Sequence, residues 1–78
     1  MMHSRYATGL TYFSGQKGYR NDKVVFWMED GLHRGIVLSG SDGKFLILET
    51  DEHWERPALQ DYESNTREVE TKYVYKVH

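Results

Sequence analysis

The sequence predicts an all-β protein: a small five-stranded barrel or a strongly bent antiparallel sheet, with at most one short helical turn near residues 57–62. Three observations carry this expectation. Residues 22–49 hold three short apolar runs, separated by Glu29-Asp30-Gly31 and by Gly40-Ser41-Asp42-Gly43. Asp-Gly between β-prone runs marks a hairpin, because the turn needs residues that accept a positive φ. Residues 68–77 alternate, with Val69, Thr71, Tyr73, Tyr75 and Val77 on one face and Glu68, Glu70, Lys72 and Lys76 on the other. Turn signals recur about every ten residues, a spacing typical of small β domains.

The elements follow in chain order. In residues 5–13, Tyr6, Thr8, Leu10 and Tyr12 share one parity, which suggests a first strand with Gly9 as a bulge or bend. Residues 14–21 contain Gly15, Gly18, Lys17 and Arg20 and read as a loop. Lys23–Met28 is the second strand, with Val24, Phe26 and Met28 pointing one way and Val25 and Trp27 the other. Arg34–Leu38 and Lys44–Glu49 are the third and fourth. Phe45-Leu46-Ile47-Leu48 is apolar on both faces, so this strand should be covered on both sides or sit centrally in a closed barrel. Residues 50–65 are polar and acidic and hold the only proline, Pro57. A helical turn could start there, since proline suits the first helical position. The alternating run 68–77 is the fifth strand, half-buried by the period-2 rule, with Val74 its one exception.

A chain of 78 residues reads as a single domain, 1–78. At this size folding buries only about 60–65% of the unfolded surface, so the core is thin. With no cysteine, neither a disulfide nor a thiolate metal site can staple it. Two Trp, six Tyr and three Phe must do that work instead. There is no apolar run of about 18 residues and no apolar signal region behind Arg5, so a soluble, cytoplasmic protein is expected. The net charge of −2 is unevenly spread. Residues 1–48 carry six Lys/Arg against four Asp/Glu, and residues 49–78 carry four against eight.

Within residues 22–49, the pattern of Asp22, Val24, Phe26, Gly31, Arg34, Gly35, Val37, Gly43, Phe45 and Ile47 resembles an SH3-like small barrel of the Tudor or KOW kind. The resemblance covers about a third of the chain. It implies a binding module for protein tails, nucleic acid or a larger machine.

Four groups of residues could carry function. The aromatic set, Trp27, Trp54, Tyr12, Tyr19 and Tyr62, is a candidate for exposed rings that hold a cation, although the same rings could simply fill the core. The acidic segment supplies Glu49, Asp51, Glu52 and Glu55, which with Trp54 and Tyr62 form the expected contact for a protein partner. Electrostatic complementarity of this kind speeds association and selects partners, and it suits a phage-type accessory or inhibitor protein. The alternative is nucleic-acid binding by Lys17, Tyr19, Arg20, Lys23, Trp27 and Arg34, with Arg5, His33 and Lys44 nearby in the basic set. Catalysis and metal binding are not expected. His53 sits beside Asp51, Glu52 and Glu55, but no second histidine falls at a ligand spacing, and His3, His33 and His78 are scattered. No cofactor is expected. Edge pairing of the long C-terminal strand could give a homodimer.

Overall fold

The computed structural model describes residues 6–78. Arg5, expected in the first strand and the basic set, and His3 lie outside the described residues. The chain forms seven strands: β1 (Ala7–Thr11), β2 (Lys17–Tyr19), β3 (Lys23–Met28), β4 (Gly31–Ser41), β5 (Lys44–Glu49), β6 (Thr66–Glu70) and β7 (Val74–Lys76). Short 3-10 turns occupy Leu59–Asp61, Glu63–Asn65 and Thr71–Tyr73. Five strands make one antiparallel sheet in the order β6-β5-β4-β3-β7, and β1 and β2 form a separate hairpin. The all-β expectation is met by a bent sheet that is not closed, since β6 and β7 lie at opposite ends of the order.

The predicted turns form as written. Asp42 and Gly43 take φ of 54° and 76°, and Gly31 takes 128°. Two successive positive-φ residues match the right-handed twist of the flanking strands. β4 is longer than the predicted 34–38 because its two halves serve different partners. Its first half pairs with β3 from Met28↔Gly31 to Lys23↔Ile36, and its second half pairs with β5 up to Ser41↔Lys44. A register shift between Val37 and Ser39 bends it between these roles.

Two further expectations are corrected. Residues 14–21 are not all loop: Lys17–Tyr19 pairs with β1 across a register shift over Gly9, whose φ is 82°. A three-residue strand rich in Gly and charge leaves too little pattern to read. The single strand 68–77 is also two strands. A 3-10 turn at Thr71–Tyr73 interrupts it, β6 pairing with β5 and β7 with β3. The turn resets the parity. Val74, the exception in the alternation, is fully buried, whereas Tyr73 and Tyr75 are exposed.

The core is Tyr12, Val24, Phe26, Val37, Phe45, Ile47, Val69 and Val74, with Leu10 and Met28 packed against it. β5 is covered on both sides, as its sequence suggests, since Phe45, Ile47 and Leu48 are all inaccessible. Leu48 lies opposite Ile36, and by alternation both point away from Val37 and Ile47. The segment between β5 and β6 returns over the sheet here: the Trp54 indole N–H donates to the Val24 carbonyl at 3.1 Å. Gly35 permits the tight approach of β4 to β5. A Cβ there would lie 2.5 Å from Ile47 Cγ2 and 2.6 Å from the Leu48 carbonyl oxygen.

The N-terminal hairpin is tied to the sheet through Asp22, which is 5% exposed. The Tyr12 hydroxyl donates to Asp22 Oδ2 at 2.7 Å, and the Tyr19 backbone N–H donates to the same oxygen at 2.9 Å. Lys76 Nζ lies 3.9 Å from Oδ1. The Tyr12 ring stacks on Phe45 at 4.9 Å between centroids. Of the two readings offered for the aromatic set, Tyr12 follows the core-filling one, at 2% exposure. Hydrogen bonds to charged groups contribute about 1.5–3 kcal/mol, so Tyr12→Phe should lower the unfolding free energy by about that much. Urea denaturation checks this, and a loss below about 0.5 kcal/mol would show that the hydroxyl is not a significant tie.

Candidate functional site

One cleft lies between strands that are not sheet neighbours. Trp27 and Met28 of β3, Glu29 of the following turn, Lys44 of β5, Glu68, Val69 and Glu70 of β6, and Tyr73 of the last 3-10 turn enclose about 450 Å³. The bend of the sheet brings β3 and β6 together. Each ring is there for a local reason. Trp27 has the opposite parity to buried Phe26, so it points outward and is 50% exposed. Tyr73 belongs to the 3-10 turn that resets the strand, and it stays 44% exposed. Met28 and Val69 are apolar lining, and Glu29, Glu68 and Glu70 supply three carboxylates against Lys44. The Tyr73 ring already carries an ammonium group: Lys72 Nζ lies 5.2 Å from its centroid and 3.5 Å from a Glu70 oxygen. Tyr73 first and Glu70 second favour the charged form of Lys72 and raise its pKa.

The acidic segment is placed differently. Glu49, Asp51 and Glu55 converge with Arg56, Pro57 and Asn65 around a separate cleft of about 340 Å³. Two of these carboxylates are already engaged. Glu49 Oε2 is 2.6 Å from His33 Nδ1, and its Oε1 is 3.4 Å from Arg67 Nε. Asp51 Oδ1 accepts the backbone N–H groups of Glu55 and His53 at 3.0 and 2.8 Å. Those two bonds, Glu55 first, hold the Asp51 carboxyl below its ordinary pKa. Glu52 is exposed, 3.7 Å from the His53 ring. Trp54 is half-buried with φ of 59°, a conformation that bulky side chains rarely adopt. Its indole bond to Val24 and the Arg34 guanidinium, 5.4 Å from its ring centroid, hold it there. Tyr62 is half-buried, and its carbonyl accepts the Thr66 hydroxyl at 2.6 Å.

The basic set is split. Lys17 and Arg20 are exposed around the N-terminal hairpin, with the Arg20 guanidinium 5.8 Å from the Tyr6 ring. Tyr19 is half-buried above Asp22, and Lys23 is exposed at the start of β3. Trp27 lies about 13 Å further along that strand, at about 3.3 Å per residue, among carboxylates. Arg34 stacks on Trp54. Lys44 lines the Trp27 cleft.

Comparisons with family models, with curated proteins and with solved structures each find no match to this chain. The site is therefore read from its own chemistry. Among the described residues, no three His, Cys, Asp or Glu side chains are placed to share a metal ion, and no helix is long and apolar enough to cross a membrane.

Two arrangements escaped the sequence. Tyr73 joins Trp27 only through the 3-10 turn, which the alternation conceals, although Val74 at the wrong parity was a signal. His33 is the centre of a polar chain. Its Nε2 is 2.7 Å from Asp30 Oδ1 while its Nδ1 meets Glu49. The Asp30-Gly31 turn and the β4–β5 register assemble it from residues 16 positions apart.

Both partners, Glu49 first, raise the His33 pKa above its ordinary value, and His33 in turn lowers that of Asp30. A raised histidine pKa contributes stability that is complete below about pH 6.5 and is lost as pH rises through the folded-state value. The lowered Asp30 value adds stability above about pH 4 that is lost as pH falls. Thermal melts from pH 6 to 9 should therefore show a falling midpoint, and His33→Asn should flatten that slope. Parallel profiles for the two proteins would remove the His33 explanation.

Proposed function

We propose that this chain is a non-enzymatic binding module of the SH3-like kind that engages a protein partner by taking a basic side chain into the Trp27–Tyr73 cleft. The observation that carries the reading is the pairing of two half-exposed rings with Glu29, Glu68 and Glu70 around one cavity. Aromatic faces are negative and attract cations, by about 0.5–2 kcal/mol per contact, and nearby carboxylates add to that attraction. The resident Lys72 on Tyr73 supports the same chemistry. The SH3-like assignment draws on the sheet order β6-β5-β4-β3-β7, with a 3-10 turn joining the two outer strands.

This keeps the expected acidic and aromatic surface but moves it. Glu49 and Asp51 already serve His33, Arg67 and the loop backbone, whereas Trp27 and Tyr73 are exposed beside Glu29 and Glu68 in the other cleft. The nucleic-acid reading has narrower support: Lys17, Tyr19, Arg20 and Lys23 remain near one another in the chain, while Trp27 and Arg34 have other company.

The test is an NMR titration with blocked Gly-Gly-X-Gly-Gly pentapeptides in which X is lysine, trimethyllysine or glutamate. The two cationic peptides should shift the Trp27 indole signal and the glutamate peptide should not. Trp27→Ala and Tyr73→Ala should each weaken binding about 2- to 30-fold, the range spanned by one cation–π contact. No shift at Trp27 with either cation would sink the cleft reading. Shifts at Tyr6, Lys17 and Arg20 with a thymine heptanucleotide, disappearing steeply with salt, would favour the nucleic-acid reading instead.

A further inference from the structure

The cleft accounts for a side chain but not for the backbone that carries it. We propose that β6 is a docking edge, and that an extended basic segment of the partner adds to the sheet as a further antiparallel strand alongside it. The inference rests on the cleft reading above and extends it from a side-chain pocket to a mode of binding.

β6 ends the sheet order, and β5 is its sole strand partner among the described residues. The Thr71 backbone N–H donates to the Gly43 carbonyl at 3.3 Å, so residue 71 faces β5. Peptide groups alternate along a strand, so Arg67 and Val69 also face β5. The N–H and C=O groups of Glu68 and Glu70 therefore point to the open edge, where an added strand would pair with them. Their side chains are exposed. On one side of the strand is the Trp27–Tyr73 cleft. Beside it is a second cleft of about 330 Å³ lined by Ser39, Ser41, Asp42, Lys44, Leu46 and Glu68. Lys44 and Glu68 line both clefts.

Charge selects the occupant. A second copy pairing β6 with β6 about its centre would set Glu68 against Glu68, and like charges directly opposite are destabilising. Carboxylates on an edge strand thus discourage self-association. A strand with Lys or Arg at alternate positions reverses the sign of that interaction. It sets a cation opposite Glu68 and another opposite Glu70.

The pairing geometry makes a sharp prediction. In an antiparallel addition, which continues the pattern of this sheet, the outward peptide groups of Glu68 exchange hydrogen bonds with the partner residue directly opposite. The basic residues are then the ones whose own N–H groups bond to β6. The probe is a blocked heptapeptide, Lys-Val-Lys-Thr-Lys-Val-Lys, titrated into the isotope-labelled full chain. It should shift the amides of Glu68 and Glu70 and slow their hydrogen exchange, and the analogue with Glu replacing Lys should not. N-methylation of the lysine amides should weaken binding at least about tenfold, since two or more backbone bonds are lost. N-methylation of the Val and Thr amides should leave it within about twofold. Glu68→Gln with Glu70→Gln should weaken the lysine peptide while raising self-association in sedimentation.

Equal binding of the two N-methylated analogues would overturn strand addition, as would failure of the heptapeptide to shift Glu68 and Glu70. The cleft reading is scored separately by the Trp27 indole signal with the pentapeptides. A Trp27 response without a β6 response sinks only this inference, and a missing Trp27 response sinks the cleft reading.

Discussion

A buried carboxylate needs hydrogen-bond partners, and Asp22 draws them from separate parts of the chain. The Tyr12 hydroxyl reaches it from the end of β1, the Tyr19 amide from β2, and the Lys76 ammonium lies nearby on β7. Leaving a buried charge unpaired is costly, so these contacts are strongly coupled. Once they form, the N-terminal hairpin is fixed against the sheet, and the Tyr12 ring is set on Phe45 in the core. The start of β3 is held at the same point, since the Asp22 carbonyl accepts the Val37 N–H at 3.0 Å. A thin, cysteine-free core is stiffened by a polar tie rather than a disulfide.

The second constraint is the 3-10 turn at Thr71–Tyr73. β6 and β7 complete opposite edges of one sheet, and no straight strand could reach both. A three-residue turn makes the crossing and inverts which parity faces inward. Val74 enters the core and Tyr73 is left outside, beside Trp27. The cleft is thus a by-product of how the sheet is finished. Among the described residues β6 has β5 as its one strand partner, so the cleft and the sheet's end meet at the same strand.

The charges divide into engaged and available groups. His33, Asp30, Glu49 and Arg67 satisfy one another where the inner face of the sheet gives way to solvent. Asp51 caps its own loop. Glu70 has Lys72 at 3.5 Å and Lys44 at the opposite strand position, and Glu68 stands beside it on the cleft. Carboxylates thus stand beside exposed rings at Trp27 and Tyr73, away from the acidic segment that the composition singles out.

Much of the fold was legible in residues 22–49, because hairpin turns and strand parity are local. Asp42-Gly43 specifies its turn by backbone sterics alone, and Val24, Phe26, Ile47 and Trp27 take the sides their parity predicts. The candidate site was legible only in part. Trp27 was visibly an outward ring, but its neighbours come from β6 and from a turn about 45 residues later in the chain. Tyr12 and Asp22, or His33 and Glu49, carry no sequence mark of their pairing, since hydrogen bonds between distant residues follow from register and not from spacing. What the sequence determined by itself was the β class, the tight turns and the inward faces of β3 and β5, all set by interactions within a few residues. Only the tertiary structure decided where the final strand breaks, which carboxylates are spent on internal partners, and that Trp27 meets Tyr73. Those outcomes depend on how a bent sheet finishes its two edges, which no local pattern encodes.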